Sequence, residues 1–133
     1  DTAVIEDRAI DGDVLEKLST LGIAIALDDF GTGYAGLDYL KTLPISCLKI
    51  DKTFVQEMAT SLRSYEIVQS AINLAGSIGL STIAEGIEDE DTVRRLNDLG
   101  CNIAQGYYFA RPMPAGAVAA WLKQMQADGR LRA

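Results

Sequence analysis

The chain has 133 residues, a formal net charge of −7 and no histidine. Hydrophobic residues make up 48% of it, which is typical of one globular domain and excludes a disordered chain. The negative charge argues against a nucleic-acid polymer as partner, since polyphosphate backbones are met by clustered Lys and Arg. Without histidine, acid–base or metal chemistry must use carboxylates, Lys or Tyr.

Membrane contact by this segment is not expected. No apolar run reaches the roughly 20 residues of a membrane-spanning helix, and the first ten residues lack a signal-peptide pattern. Cys47 and Cys101 lie far apart without a CxxC spacing, which favours buried thiols in a reducing compartment over a disulfide or metal role. We therefore expect a cytoplasmic protein, or the cytoplasmic part of a larger one.

Helical and strand patterns alternate along the chain. Three amphipathic segments end in an apolar residue plus Gly, the usual helix stop, and a fourth ends in Leu43-Pro44; a short apolar run follows each. Their apolar stripes are predicted to pack in the core. In chain order, the predicted helices are 13–21, 67–78, 93–99 and about 115–126, and the predicted strands are Ile23–Asp28, Cys47–Asp51, Ser81–Glu85 and Asn102–Tyr108.

This alternation predicts an α/β fold of parallel βα units. The strand segments are short and nearly continuously apolar, as expected of strands buried on both faces. Acidic or capping residues at Asp11–Asp13 and Asp89–Thr92 mark two helix starts. A single domain is predicted, with a frayed tail over residues 127–133.

Polar side chains gather at the carboxyl ends of the predicted strands, which form the active face of parallel α/β folds. One acidic residue there is often only a helix cap, but four strands that each deliver polar groups predict a shared site. These residues are Asp28 and Asp29, Lys49 and Asp51, Glu85 and Glu88, and Gln105.

The residue types suggest metal and phosphate chemistry. Asp28 and Asp29 are adjacent, so both reach one site only if the chain turns, and Gly31–Gly33 supplies a turn. Two close carboxylates need a cation between them, and oxygen ligands suit Mg²⁺ or Mn²⁺; the alternative is a helix N-cap pair. Lys49 could orient a water or neutralise phosphate charge.

Several of these residues have simpler alternatives. Lys49 and Asp51, two apart on one strand, share a face and could form a salt bridge that closes the top of the sheet. Glu85 is a candidate base or metal ligand. Glu88, three residues further on, could equally be a solvated helix-start residue.

Four sequence blocks resemble the EAL domain family. They are Ala26–Tyr34, which is similar to the family signature DDFGTGY, and Leu48–Asp51, Ala84–Glu88 and Ala104–Phe109, in family order with family-like spacing. The resemblance implies that residues 1–133 are the C-terminal half of a TIM-like (β/α)8 barrel. It further implies metal-dependent hydrolysis of cyclic di-GMP to linear pGpG, a reaction of bacterial second-messenger signalling.

The resemblance also implies roles for single residues. Asp28 and Asp29 would be ligands of a two-metal site for Mg²⁺ or Mn²⁺. Lys49 would hold the attacking water, and Glu85 would be the general base or a metal-linked carboxylate. The supporting residues would be Asp51, Glu88 and Gln105. The segment Gly31 to Leu37 resembles the family's mobile loop, which couples metal binding to a dimer interface; it includes Gly31, Thr32 and Gly33.

Part of the family pattern is absent from this sequence. The Glu-Ala-Leu motif and an asparagine ligand belong to the first half of the barrel, and a further acidic ligand would fall at or next to Asp1. A half-barrel exposes two strand edges, which would pair with the missing half or with a second copy in a homodimer. The alternative to an enzyme is therefore an inactive cyclic di-GMP-binding or dimerisation module, with the isolated fragment inactive.

Overall fold

The structure is a computed structural model that describes residues 8–31 and 37–128 of the chain. Within these residues, helices and strands alternate. The helices are α1 (Arg8–Thr20), α2 (Leu37–Thr42), α3 (Lys52–Glu57), α4 (Leu62–Ser77), α5 (Glu90–Asp98) and α6 (Ala115–Ala127), and the strands are β1 (Ala26–Phe30), β2 (Cys47–Ile50), β3 (Ser81–Ala84) and β4 (Ile103–Ala104).

The four strands form one parallel sheet in the order β1-β2-β3-β4. Helices lie between successive strands in the chain, as parallel pairing requires. The predicted α/β fold of parallel βα units is therefore confirmed. Because all strands run the same way, their carboxyl ends meet at one edge of the sheet.

Side-chain caps from Asp51, Ser61 and Asp89 fix where α3, α4 and α5 begin. The Asp51 carboxylate accepts a hydrogen bond from Thr53 N at 2.8 Å and starts α3, a helix that the sequence patterns did not predict. Asp89 Oδ1 accepts from Thr92 N at 2.7 Å, which confirms the predicted helix start there. The start predicted at Asp11–Asp13 was wrong, because α1 already begins at Arg8.

The hydrophobic core lies between the central strands and the helices α3 and α4. Leu48 and Ile50 of β2 are fully buried, and the predicted stripe of α4 packs against them through Val68 and Ala75. Burial of each large side chain of this kind contributes about 1.5–3 kcal/mol. The other buried members of the cluster are Val55, Met58, Ala71, Ile72, Ala84, Ile87 and Leu96.

Burial does not extend to the outer elements. Both residues of β4 and three of the five in β1 are exposed, so the prediction that every strand is buried on both faces was wrong. The stripes predicted to pack from the first and last helices are only partly covered. Helix α6 has no buried residue, Leu21 after α1 is 76% exposed, and Leu18 and Trp121 are half-buried. The physical reason is that β1 and β4 are the edges of the described sheet, with a neighbouring strand on one side each.

Strand boundaries also differ from the predicted ones. Strand β1 begins at Ala26 rather than Ile23, and β4 ends at Ala104 rather than Tyr108. Beyond β4 the chain turns where Gly106 lies so close to the backbone of Ile87 that a side chain would collide with it.

Asp1, Thr32 and Gly33, and most of the predicted tail lie outside the described residues. None of the helices within the described residues combines the length and the apolar composition of a membrane-spanning segment.

Candidate active site

Strand β2 orients the lysine of the candidate site. Leu48 and Ile50 on either side of Lys49 are fully buried against the helices. Because side chains alternate along a strand, Lys49 is directed to the opposite face of the sheet, away from the hydrophobic core. The packing of Leu48 and Ile50 in the core thus determines the direction of the Lys49 side chain, which itself lies outside the core.

Lys49 joins two carboxylates from the neighbouring strands. Its Nζ lies 2.7 Å from Glu85 Oε1, directly after β3, and 2.9 Å from Asp28 Oδ2 on β1. The side chains of Lys49 and Glu85 are each 23% exposed, whereas that of Asp28 is 58% exposed, so water screens the second ion pair more strongly. The structure therefore brings together three of the predicted site residues from three different strands.

A β-bulge explains how two adjacent aspartates lie at this position. Leu27 pairs with Leu48 and Phe30 with Ile50, so both aspartates stand opposite the single residue Lys49. Asp29 has a φ of 52°, and its N–H donates to Asp28 Oδ1 at 2.9 Å. A bulge breaks the alternation of side chains along a strand. The two aspartates thus interrupt the alternation themselves, whereas most of the turn predicted at Gly31–Gly33 lies outside the described residues.

The hydrogen bonds of the cluster shift its proton affinities. The hydrogen bond to Glu85 raises the pKa of Lys49 above its ordinary 10.5, against the opposing effect of burial, and Asp28 adds to the increase. Burial acts to raise the pKa of Asp28, but the hydrogen bonds from Lys49 and Asp29 N outweigh it and hold that pKa below 3.8. At neutral pH Lys49 is therefore an ammonium that donates hydrogen bonds and does not act as a base.

Asp51 and Gln105 lie near the cluster without joining its ion pairs. The Asp51 carboxylate caps α3, while Lys49 forms its ion pairs with Asp28 and Glu85 instead. Gln105 is tied through its backbone: its N–H donates to Ala84 O at 2.9 Å, and its carbonyl accepts from Ile87 N at 3.2 Å. The segment after β4 is thus joined to the segment that carries Glu85.

Glu88 is held by a residue that the sequence patterns did not single out. Gln56 Nε2 lies 3.2 Å from Glu88 Oε1 and 3.3 Å from Gly86 O. Glu88 itself is exposed and precedes the cap of α5. Only the tertiary contact reveals Gln56, since a lone Gln on a short helix carries no motif.

Asp28, Asp29 and Glu85 supply oxygen donors of the type that Mg²⁺ and Mn²⁺ prefer. Within residues 8–31 and 37–128, however, no three Cys, Asp or Glu side chains form a group that could hold a metal ion. The ammonium of Lys49 lies between two of the carboxylates. The described residues thus supply oxygen donors of a suitable type, but they do not by themselves form a complete metal site.

Comparison with known proteins identifies the family. The EAL domain family matches residues 1–112. The chain belongs to the EAL domain family. The cyclic di-GMP phosphodiesterase RocR of Pseudomonas aeruginosa is 46% identical over 114 residues, which cover 86% of this chain and 29% of RocR. The family resemblance read from the four sequence blocks is confirmed.

Solved EAL-domain structures share the fold. A c-di-GMP complex of the PaMucR phosphodiesterase superposes with a TM-score of 0.79 at 43% identity, over 86% of this chain and 46% of that one. A manganese and cy-diGMP complex of BlrP1 from Klebsiella pneumoniae has a TM-score of 0.75 at 32% identity, over 84% and 29%. This chain therefore spans less than half of each of these proteins.

Proposed function

We propose that this chain is the C-terminal half of an EAL domain that hydrolyses cyclic di-GMP to linear pGpG. The observation that carries the proposal is the cluster of Asp28, Lys49 and Glu85 at the carboxyl edge of the sheet, with both ion pairs under 3 Å. The names of RocR and of the PaMucR complex support cyclic di-GMP as the substrate. Signalling through this second messenger is the corresponding biological role.

The residues of the cluster suit attack of water on a phosphodiester. The Lys49 ammonium can donate to the attacking water or to a phosphate oxygen, where negative charge increases in the transition state. Glu85, already within hydrogen-bond distance of Lys49, can accept the proton that the water loses as its oxygen bonds to phosphorus. The bond from phosphorus to the leaving ribose oxygen breaks, and that oxygen takes up a proton to give pGpG.

Asp28 and Asp29 would hold a divalent cation, Mg²⁺ or Mn²⁺, in the complete domain. When bound, such a cation supplies charge stabilisation at the phosphate and favours deprotonation of water. The manganese in the BlrP1 complex supports this choice of metal type. Asp51, Glu88 and Gln105 would act indirectly, by ordering the segments that carry Lys49 and Glu85.

The test is conversion of cyclic di-GMP to pGpG, followed by chromatography, in the longest natural form of the protein that contains this chain. We expect turnover with Mg²⁺ or Mn²⁺ and its loss on chelation. The Glu85→Gln variant should lose about 10²–10⁴-fold in kcat, the usual contribution of a general base. The variant Glu66→Gln, at an exposed position of α4, is the matched control. Unchanged turnover in Glu85→Gln would refute the assigned role.

A binding module without hydrolysis is the second candidate for the isolated 133-residue chain. It is favoured because the described residues lack a group of three metal-binding side chains. Calorimetric titration of this chain with cyclic di-GMP, alongside the turnover assay, distinguishes the two functions. Binding without product would support the module, and product from this chain alone would exclude it.

The exposed edges β1 and β4 suggest how the domain is completed. We propose that they pair with strands from the other half of the domain, since the chain covers only 46% of the PaMucR chain; a homodimer is the alternative. Sedimentation of the 133-residue chain tests the alternative, because a monomer at all concentrations would exclude it.

The two free thiols and the proposed substrate further suggest a cytoplasmic setting.

A further inference from the structure

The segment that follows Glu85 is held in place by one face of α3. Lys52 and Gln56 are four residues apart and therefore lie on the same side of this helix. Gly86 has a φ of 73°, and a Cβ there would lie 2.5 Å from Lys52 Cβ. The backbone of the segment thus passes directly against α3, and only a glycine fits this approach.

Gln56 adds hydrogen bonds to this close contact. Its amide nitrogen has two N–H groups and two acceptors within reach, Gly86 O at 3.3 Å and Glu88 Oε1 at 3.2 Å. On the other side of the segment, Ile87 N donates to Gln105 O and Ile87 O accepts from Tyr108 N. These backbone hydrogen bonds hold one side of the segment. Gln56 holds the other side by joining it to α3.

We propose that Gln56 is a positioning residue for the reaction, which fixes the exit of the chain from Glu85 and the carboxylate of Glu88. The inference rests on the proposed function and extends it to a further residue. Within the described structure, Gln56 forms no hydrogen bond with Lys49 or Asp28. Because Gly86 follows Glu85 directly, a shift of its carbonyl changes the direction of the Glu85 side chain. Small displacements of a reacting group lower the rate of the chemical step.

The test compares three variants in the longest natural form of the protein. Gln56→Met keeps the length and helix propensity of Gln but has no donor, Gln56→Lys retains an N–H donor, and Gln69→Met makes the same change at an exposed position of α4. We expect Gln56→Met to lower kcat about fivefold, the effect of one ordinary hydrogen bond, with KM and Tm nearly unchanged. Gln56→Lys should restore most of kcat, and Gln69→Met should match the wild type.

A purely structural role predicts a different pattern. Equal kcat in Gln56→Met and wild type, an equal loss in Gln69→Met, or no recovery in Gln56→Lys would each overturn the proposal. Hydrogen exchange at the amides of Glu85 and Ile87 provides a measurement that needs no turnover, and we expect faster exchange in Gln56→Met alone. If the wild type does not convert cyclic di-GMP, the proposed function fails, and unchanged exchange would then refute the role of Gln56 separately.

Discussion

The central strands and the edge strands of the sheet are held in different ways. Strands β2 and β3 have neighbours on both sides, and Leu48 and Ala84 on them are fully buried against the helices. Strands β1 and β4 have one neighbour each and are largely exposed. The candidate site crosses this boundary, because Lys49 lies on β2 and Glu85 directly follows β3, whereas Asp28 lies on the edge strand β1. Core packing therefore determines the positions of Lys49 and Glu85, whereas the positions of Asp28 and Asp29 depend more on what lies beyond β1.

A large effect on turnover, comparable to that of Glu85→Gln, is expected from removing the cation at the centre of the cluster. Lys49→Met should lower kcat about 10²–10³-fold in the longest natural form of the protein, since a directed donor to developing charge is lost. Turnover of cyclic di-GMP measures the change, with Lys123→Met on the exposed face of α6 as control. A similar loss in both variants would mean that the effect is not specific to the site.

The contrast in packing predicts a difference in stability. Leu48→Ala removes a fully buried side chain and should lower the free energy of unfolding of the 133-residue chain by about 2–5 kcal/mol. Leu122→Ala on α6, where the side chain is 41% exposed, should change it by about 0.5 kcal/mol or less. Urea unfolding followed by circular dichroism measures both. Equal losses would show that α6 is packed as tightly as the centre.

A smaller effect is expected at the cap of α5. Asp89→Ala should cost about 1 kcal/mol of stability at pH 7, because Thr92 N loses its acceptor. The hydrogen bond from that N–H lowers the pKa of Asp89 below 3.8. The stabilisation is thus complete above the unfolded value and is lost as pH falls through the folded pKa.

The variant Asp89→Asn separates the cap from its titration. Asn caps helices about as well as Asp but carries no proton equilibrium, so stability should fall less between about pH 5 and pH 2 than in the wild type. Urea midpoints across this range provide the measurement. Parallel pH profiles for the two proteins would contradict the assignment.

The smallest effect concerns the two thiols, one on a central strand and one before an edge strand. Burial raises the pKa of Cys47 above 9.0, whereas Cys101 is only partly buried. Thiolates are the reactive form, so iodoacetamide should modify Cys47 more slowly than Cys101 in the folded chain. Mass spectrometry of peptides after timed alkylation measures the two rates, and faster reaction at Cys47 would contradict the burial of β2.

The sequence patterns predicted the grouping of Asp28, Lys49 and Glu85 better than they predicted burial. Alternating βα units and polar residues at strand ends were sufficient to place Asp28, Lys49 and Glu85 at one edge, because parallel strands leave no other arrangement. They did not predict that the stripes of α1 and α6 are only partly covered, since periodicity says which face of a helix is apolar but not whether a partner covers it. The short helix α3 was missed because six residues carry too little periodicity.

The sequence alone determined the family, the parallel order of helices and strands, and the residue types of the site, because these follow from motifs and periods along the chain. Only the tertiary structure decided which groups pair: Lys49 with Glu85 and Asp28, Asp51 with the start of α3, and Gln56 with Glu88. Such pairings depend on the register between strands and on the bulge at Asp28 and Asp29. Register is fixed by packing between distant segments, which no local pattern specifies.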